Sequence, residues 1–204
     1  GRWLDDRLQA QVAMFYQQRD DIQIKQSLVQ SRLDSNAVSF TDYFGNSAEG
    51  SNYGVELEFN WLASETLALF GTVGLLETEY DIPLSADLNS RDQAHAPGYQ
   101  FALGGTAQVT DSLALSIDIE GKDKFYLSSN HGEQSESYEL LNASLDYNFG
   151  DWELSLWGRN LIDEEVIVRG FGGFGNDPRK FYATEPYYQF GEPRMFGVSG
   201  KYDF

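Results

Sequence analysis

Between Tyr53 and Trp61 every odd residue is large and apolar, and every even one is Gly, Glu, Glu or Asn. Successive side chains of an extended chain point to opposite faces, so this stretch makes a strand with one greasy face and one charged face. Helical periodicity is weak throughout, whereas the two-residue period returns along most of the chain. It is seen at Leu8-Ala10-Val12-Met14-Tyr16, at Tyr99-Phe101-Leu103-Ala107-Val109 and at Leu113-Leu115-Ile117-Ile119. It returns at Leu141-Ala143-Leu145-Tyr147-Phe149, at Trp152-Leu154-Leu156 and at Phe196-Val198-Tyr202-Phe204. Leu67 to Tyr80 is the least regular, because Phe70 and Leu76 fall on the wrong parity. It is counted as a strand with its neighbours, which gives eight.

The connections alternate in length. Turn formers sit at Ala63-Ser64-Glu65, Thr110-Asp111-Ser112 and Gly150-Asp151, and between them lie long polar stretches over 29–51, 81–98, 126–137 and 161–194. An up-and-down antiparallel sheet with this pattern has its tight turns at one end and its long loops at the other, as outer-membrane barrels do. A soluble β-sandwich or jelly roll alternates too. Two features favour the membrane. The greasy face runs without charge for about nine residues per strand, the length of a tilted crossing. Aromatic rings also cluster at both strand ends: Phe59, Trp61, Tyr147, Phe149, Trp152, Tyr202 and Phe204 at one, Tyr53, Tyr99 and Phe125 at the other. Two belts of amphipathic rings around an apolar band are what the two membrane interfaces select. The expected fold is therefore all-β, a transmembrane antiparallel up-and-down barrel.

Composition narrows the function classes. No run approaches the eighteen or so apolar residues of a membrane helix. The net charge of −18 opposes binding to nucleic acid. Cysteine is absent, which removes disulfides and thiolate metal sites. Gly1-Arg2-Trp3-Leu4-Asp5-Asp6 is not a signal peptide, so a processed start or a piece of a longer protein is expected.

Toward the C-terminus, Trp157-Gly158-Arg159-Asn160-Leu161-Ile162-Asp163-Glu164-Glu165 is followed by Gly191-Glu192-Pro193-Arg194-Met195-Phe196-Gly197-Val198 and Lys201-Tyr202-Asp203-Phe204. These segments resemble the end of a TonB-dependent receptor. Upstream, Gly54-Val55-Glu56-Leu57-Glu58, Leu69-Phe70-Gly71 and Glu79-Tyr80-Asp81 resemble the hairpin that precedes it. The resemblance implies a barrel of about 22 strands in the bacterial outer membrane, with an N-terminal plug inside it. It implies uptake of a scarce ligand (ferric siderophore, cobalamin or oligosaccharide) driven by the TonB complex. On this reading residues 1–204 are the C-terminal portion of the barrel domain, without the plug. The implied partners are outer-membrane lipid, the barrel assembly machinery, the protein's own plug and remaining strands, TonB acting through that plug, and a small-molecule ligand. No position here matches the family's plug or TonB-box residues.

Several residues stand out beside the pattern. Phe196, Val198, Tyr202 and the terminal Phe204 resemble the signal read by the barrel assembly machinery. Arg169-Gly170-Phe171-Gly172-Gly173-Phe174 is no phosphate loop, because no apolar-periodic helix follows it. The surrounding connection offers Phe171, Phe174, Tyr182, Tyr187 and Tyr188 as stacking faces, and Arg169 and Arg179 as cations, for ligand capture. The same rings serve equally to pack the loop. Glu56, Glu58, Asp118, Glu120, Asp146 and Glu153 read as a hydrated lumen rather than a catalytic or metal site. His95 and His131 lack ligand spacing. No nucleophile–base pair or cofactor fingerprint is legible, so no enzyme, metal or cofactor is expected. Two other readings remain: a self-contained eight-stranded barrel with a structural or adhesive role, and a soluble carbohydrate-binding sandwich.

Overall fold

The computed structural model describes residues 1–31, 38–81, 91–128, 132–171, 179, 181 and 187–203. Its strands are β1 (Arg2–Trp3), β2 (Leu8–Ser31), β3 (Val38–Ser64), β4 (Leu67–Asp81), β5 (Tyr99–Thr110), β6 (Leu113–Lys122), β7 (Tyr138–Phe149), β8 (Trp152–Arg159), β9 (Ile167–Phe171), β10 (Tyr187–Phe190) and β11 (Met195–Tyr202). One antiparallel sheet runs β1-β2-β3-β4-β5-β6-β7-β8-β11, and β9 and β10 form a separate hairpin. The eight predicted strands are β2 to β8 and β11. Tight turns lie at one end of the sheet and the long connections at the other.

Register carries the two faces across the strands. Ala10, Phe59, Gly71, Leu103, Ile119 and Leu141 are successive cross-strand partners on one face. Ala13, Glu56, Gly74, Gln100, Lys122 and Tyr138 are partners on the other. The second face is concave, and Gln11, Glu56, Glu58, Gln100 and Lys122 line a trough of about 590 Å³ there. The first face is left bare, with Met14 78% and Val198 74% exposed. Among the described residues the only buried apolar side chains are Phe125, Leu127 and Val166, all in the long connections. A sandwich would cover its apolar face with a second sheet. Among the described residues this apolar face has no such cover, and lipid is the solvent that suits it.

Phe70 and Leu76, the parity exceptions, lie on the concave side of β4. Their cross-strand partners there are Asn60 and Gly104 for Phe70, and Gly54 for Leu76. The Phe70 ring lies over Gly104, occupying the space a Cβ would need. On the outer face the Phe59 ring covers Gly71 in the same way. Rings laid over cross-strand glycines fill gaps in the pleat that would otherwise weaken pairing.

Two expectations about the connections change. The stretch 29–51 is mostly strand, since β2 and β3 stay paired from Ile22↔Ala48 to Ser31↔Val38. A bulge beyond Arg19, with Asp21 at φ 54°, bends this ribbon where the apolar alternation stops. Backbone pairing needs no greasy face once the ribbon leaves the membrane, so hydrophobic periodicity missed it. The connection 161–194 likewise contains the β9–β10 hairpin, in which Tyr187, Tyr188 and Gln189 pair with Phe171, Gly170 and Arg169.

Candidate functional site

The long connections build a layer over the open end of the sheet. Gln93 straps the 91–95 segment to β3 and β4: its backbone N–H donates to Thr78 Oγ1 at 2.9 Å and its Nε2 to Asn52 Oδ1 at 2.6 Å. The Arg91 guanidinium lies 4.4 Å from the centre of the Tyr126 ring, and its Nη2 donates to the Ser128 carbonyl at 2.9 Å. His95 packs its ring on Phe125 at 5.6 Å and donates its backbone N–H to Tyr126 O at 2.9 Å. The segment after β6 folds back on itself. Leu127 N–H donates to Glu133 O at 3.0 Å, and Ser135 N–H to Phe125 O at 2.9 Å. Leu127, 1% exposed, is the centre of this small core.

The β9–β10 hairpin touches this layer across 55 residues, with Tyr188 Oη donating to Glu133 Oε2 at 3.0 Å. That bond favours the neutral phenol. With lesser help from desolvation and from the carboxylate's charge, it holds Tyr188 above its ordinary titration range. Below the hairpin a cavity of about 480 Å³ is lined by Tyr138, Asn142, Arg159, Val166, Val168 and Glu192. It shares Glu120 and Tyr138 with the trough, so the two adjoin. Arg159 Nη1 stands 3.6 Å from Glu192 Oε2, both well exposed, and its guanidinium lies 5.5 Å from the centre of the Trp157 ring.

The predicted ligand-capture residues are brought together only in part. Arg169 on β9 and Tyr187 and Tyr188 on β10 are exposed on the hairpin. Phe171 ends β9 opposite Tyr187. Arg179 is exposed, while Phe174 and Tyr182 lie outside the described residues. Of the predicted assembly signal, Phe196, Val198 and Tyr202 stand exposed on the outer face of β11, and Phe204 lies outside the described residues. His131 does too. Among the described residues no three His, Cys, Asp or Glu side chains are grouped to hold a metal ion.

Sequence reasoning missed Asn160, which is 3% exposed at φ 49°. Its Oδ1 accepts from Glu164 N–H at 2.9 Å, while its Nδ2 donates to Glu164 O at 2.8 Å and Glu192 O at 3.2 Å. One amide thus pins both ends of the long connection. Glu133, Gln93 and the Arg91–Tyr126 pair were missed as well, because each acts on a partner remote in sequence.

Comparison with known proteins gives a consistent answer. A family model described as TonB dependent receptor-like, beta-barrel, matches residues 1–161. The structure is similar to the ferric yersiniabactin uptake receptor FyuA from Yersinia pestis, with TM-score 0.78 and 17% identity over 100% of this chain and 28% of that one. It is similar to the siderophore receptor PiuA from Acinetobacter baumannii, with TM-score 0.72 and 17% identity over 98% and 26%. It is also similar to the ferric-catecholate import receptor Fiu from K12 E. coli, with TM-score 0.63 and 18% identity over 97% and 25%. The chain therefore spans about a quarter of the length of these receptors. The motifs from Gly191 onward lie beyond the family match, and the structural likeness to FyuA covers them. With its greasy convex face, polar concave face and alternating connections, the chain belongs to the TonB-dependent receptor-like β-barrel family, whose barrels lie in the outer membrane of Gram-negative bacteria.

Proposed function

We propose that this chain is the C-terminal part of the barrel of a receptor that takes up a ferric siderophore by a TonB-driven cycle. The observation that carries this reading is that the β9–β10 hairpin stands over a cavity that adjoins the concave trough, the two sharing Glu120 and Tyr138. The hairpin supplies rings at Tyr187 and Tyr188 and a cation at Arg169. Together these suit the flat, oxygen-rich chelating groups that surround ferric iron. The receptors to which the fold is similar are described as taking up yersiniabactin or catecholate iron, which supports this ligand class over cobalamin or an oligosaccharide.

In this cycle the hairpin and its neighbouring connections capture the ligand outside the membrane. The rigid sheet holds them in place, and the polar concave face offers a wet path once the plug rearranges. The plug, TonB and the remaining strands belong to the rest of the receptor.

The test uses the intact receptor in cells lacking other iron receptors. The connection between Phe171 and Tyr188 is shortened to a tight turn, and uptake is followed for ferric siderophores, cobalamin and oligosaccharides. Surface abundance should be unchanged, while affinity for a ferric siderophore should fall at least about tenfold, the worth of a lost ring or charged contact. Unchanged affinity would assign recognition to the plug and other connections. Uptake of cobalamin or an oligosaccharide alone would overturn the ligand class.

A further inference from the structure

We propose that Asp118, Asn142 and Asn160 form a polar relay that sets the base of the β9–β10 hairpin from the inner wall of the barrel. Asp118 and Asn142 are cross-strand partners on the concave faces of β6 and β7. Asn142 Nδ2 donates to Asp118 Oδ2 at 2.8 Å, and Asn142 Oδ1 accepts the Asn160 backbone N–H at 3.1 Å. A primary amide is a donor at one end and an acceptor at the other. The carboxylate admits only the NH₂ end, so Asp118 fixes which way Asn142 points. That leaves the carbonyl end for Asn160.

Asn160 then holds a left-handed backbone conformation that few residues adopt without side-chain support. Its own amide spends both N–H bonds and its oxygen on Glu164 and Glu192, the two ends of the connection that carries the hairpin. Around this clamp Leu161 N–H donates to Leu141 O at 2.8 Å, and Gly191 N–H donates to Val166 O at 2.8 Å. The relay is reachable from inside the barrel, because Asn142, Asn160 and Glu192 all line the cavity below the hairpin. A group that engages Asp118 or Asn142 from the lumen would therefore turn the Asn142 amide and loosen the hairpin base. Asn142 and Asn160 are positioning residues, since neither is required to touch ligand.

This inference rests on the proposed role of the hairpin only for its biological meaning. Amide hydrogen exchange in the intact receptor reads the relay with no ligand present. Asn160→Ala should speed exchange at the Glu164 and Gly191 amides by about tenfold to a hundredfold, the worth of one to two net hydrogen bonds. Asp118→Ala, which touches neither amide, should speed both by about tenfold. Asp118→Asn keeps an acceptor for Asn142 Nδ2 but no longer excludes its carbonyl end, so it should restore protection in part. Amides of β5 and β6 should stay protected in all three, which separates loosening of the hairpin from failure to fold. Wild-type protection at Glu164 and Gly191 in Asp118→Ala would reduce Asn160 to a local clamp and overturn the relay. The same follows if Asp118→Asn loosens the hairpin as much as Asp118→Ala does. A siderophore test that fails while these amides respond would remove the proposed function and leave the relay standing.

Discussion

Ile117 and Ser116 are neighbours on β6 that face lipid and lumen, and a single arginine should distinguish them. Ile117 is the third of five outward positions, Leu113, Leu115, Ile117, Ile119 and Gly121. From Ile117 to Leu113 the strand runs about 13 Å, or about 9 Å of depth at a tilt of roughly 45°. Half of an apolar band about 25 Å tall is about 12 Å, so Ile117 lies near the midplane. Its cross-strand partners are Gly105 and Ala143, too small to shelter a guanidinium, and Ile117 itself is 47% exposed. Ile117→Arg should therefore cost about 2–4 kcal/mol. Ser116→Arg loses the hydroxyl pair with Thr106 Oγ1 at 2.9 Å, worth about 1 kcal/mol or less. It also places its cation on the face that carries Asp118 and Asp146, which offsets part of that loss. The difference of about 2 kcal/mol is roughly 30-fold in the folding equilibrium. Denaturant midpoints of the receptor in lipid vesicles, at unchanged slope, measure it. Equal loss at both positions would refute the assignment of the faces.

Deleting Phe204 should lower the amount of receptor in the outer membrane while leaving the melting of the inserted fraction unchanged, as quantitative blotting and thermal scans would reveal. Normal insertion kinetics would make that ring an ordinary closing residue. The Tyr188 phenol is raised above its ordinary 10.0 by its bond to Glu133, so the latch is intact below the unfolded value and is lost as pH rises through the folded one. In an ultraviolet titration, corrected with Tyr188→Phe, Glu133→Ala should bring Tyr188 down toward 10; an unmoved midpoint would show that the bond is not formed in solution. Residues 1–204 placed alone in vesicles should not yield a heat-resistant closed barrel, whereas the intact receptor should, by shift on a cold gel.

How much of this was legible in the sequence depended on whether the physics was local. Period-two alternation marks a strand only where one face meets lipid and the other water, and there β2 to β8 and β11 were readable. Beyond Gln17 the sequence turns largely polar and the alternation vanishes, while the backbone ladder continues. Phe70 broke parity because it fills the gap over Gly104, a partner on the next strand that no window along β4 contains. Asn160 was noted only as part of the family-like motif that begins at Trp157, since its burial depends on Glu192, 32 residues away. Tyr188 was singled out for its ring alone, and its bond to Glu133 spans 55 residues. The candidate site was visible as composition, aromatic and cationic, whereas its anchorage was not.

The sheet's two edges bear on what surrounds it in the membrane. β11 pairs with β8 along Met195–Tyr202, and among the described residues its other edge has no partner strand. On that edge an antiparallel strand of this length turns about four N–H and four C=O groups outward. In hydrocarbon each unpaired group costs several kcal/mol, so one bare edge costs tens of kcal/mol. That exceeds the whole stability of an ordinary domain, about 5–15 kcal/mol. The opposite edge has the same difficulty, because among the described residues Gly1 to Trp3 cover β2 only from Leu8 to Ala10. These edges stand at opposite ends of the strand order and, among the described residues, do not pair with each other. A self-contained eight-stranded barrel would need them to meet and settle into register, and it would have to fill its interior with side chains. The concave face instead presents Glu56, Glu58, Glu120 and Lys122 around an open trough, a surface suited to water or to a polar domain. Further strands on both sides would satisfy the edges and leave that trough open, the arrangement that the proposed large receptor barrel would provide.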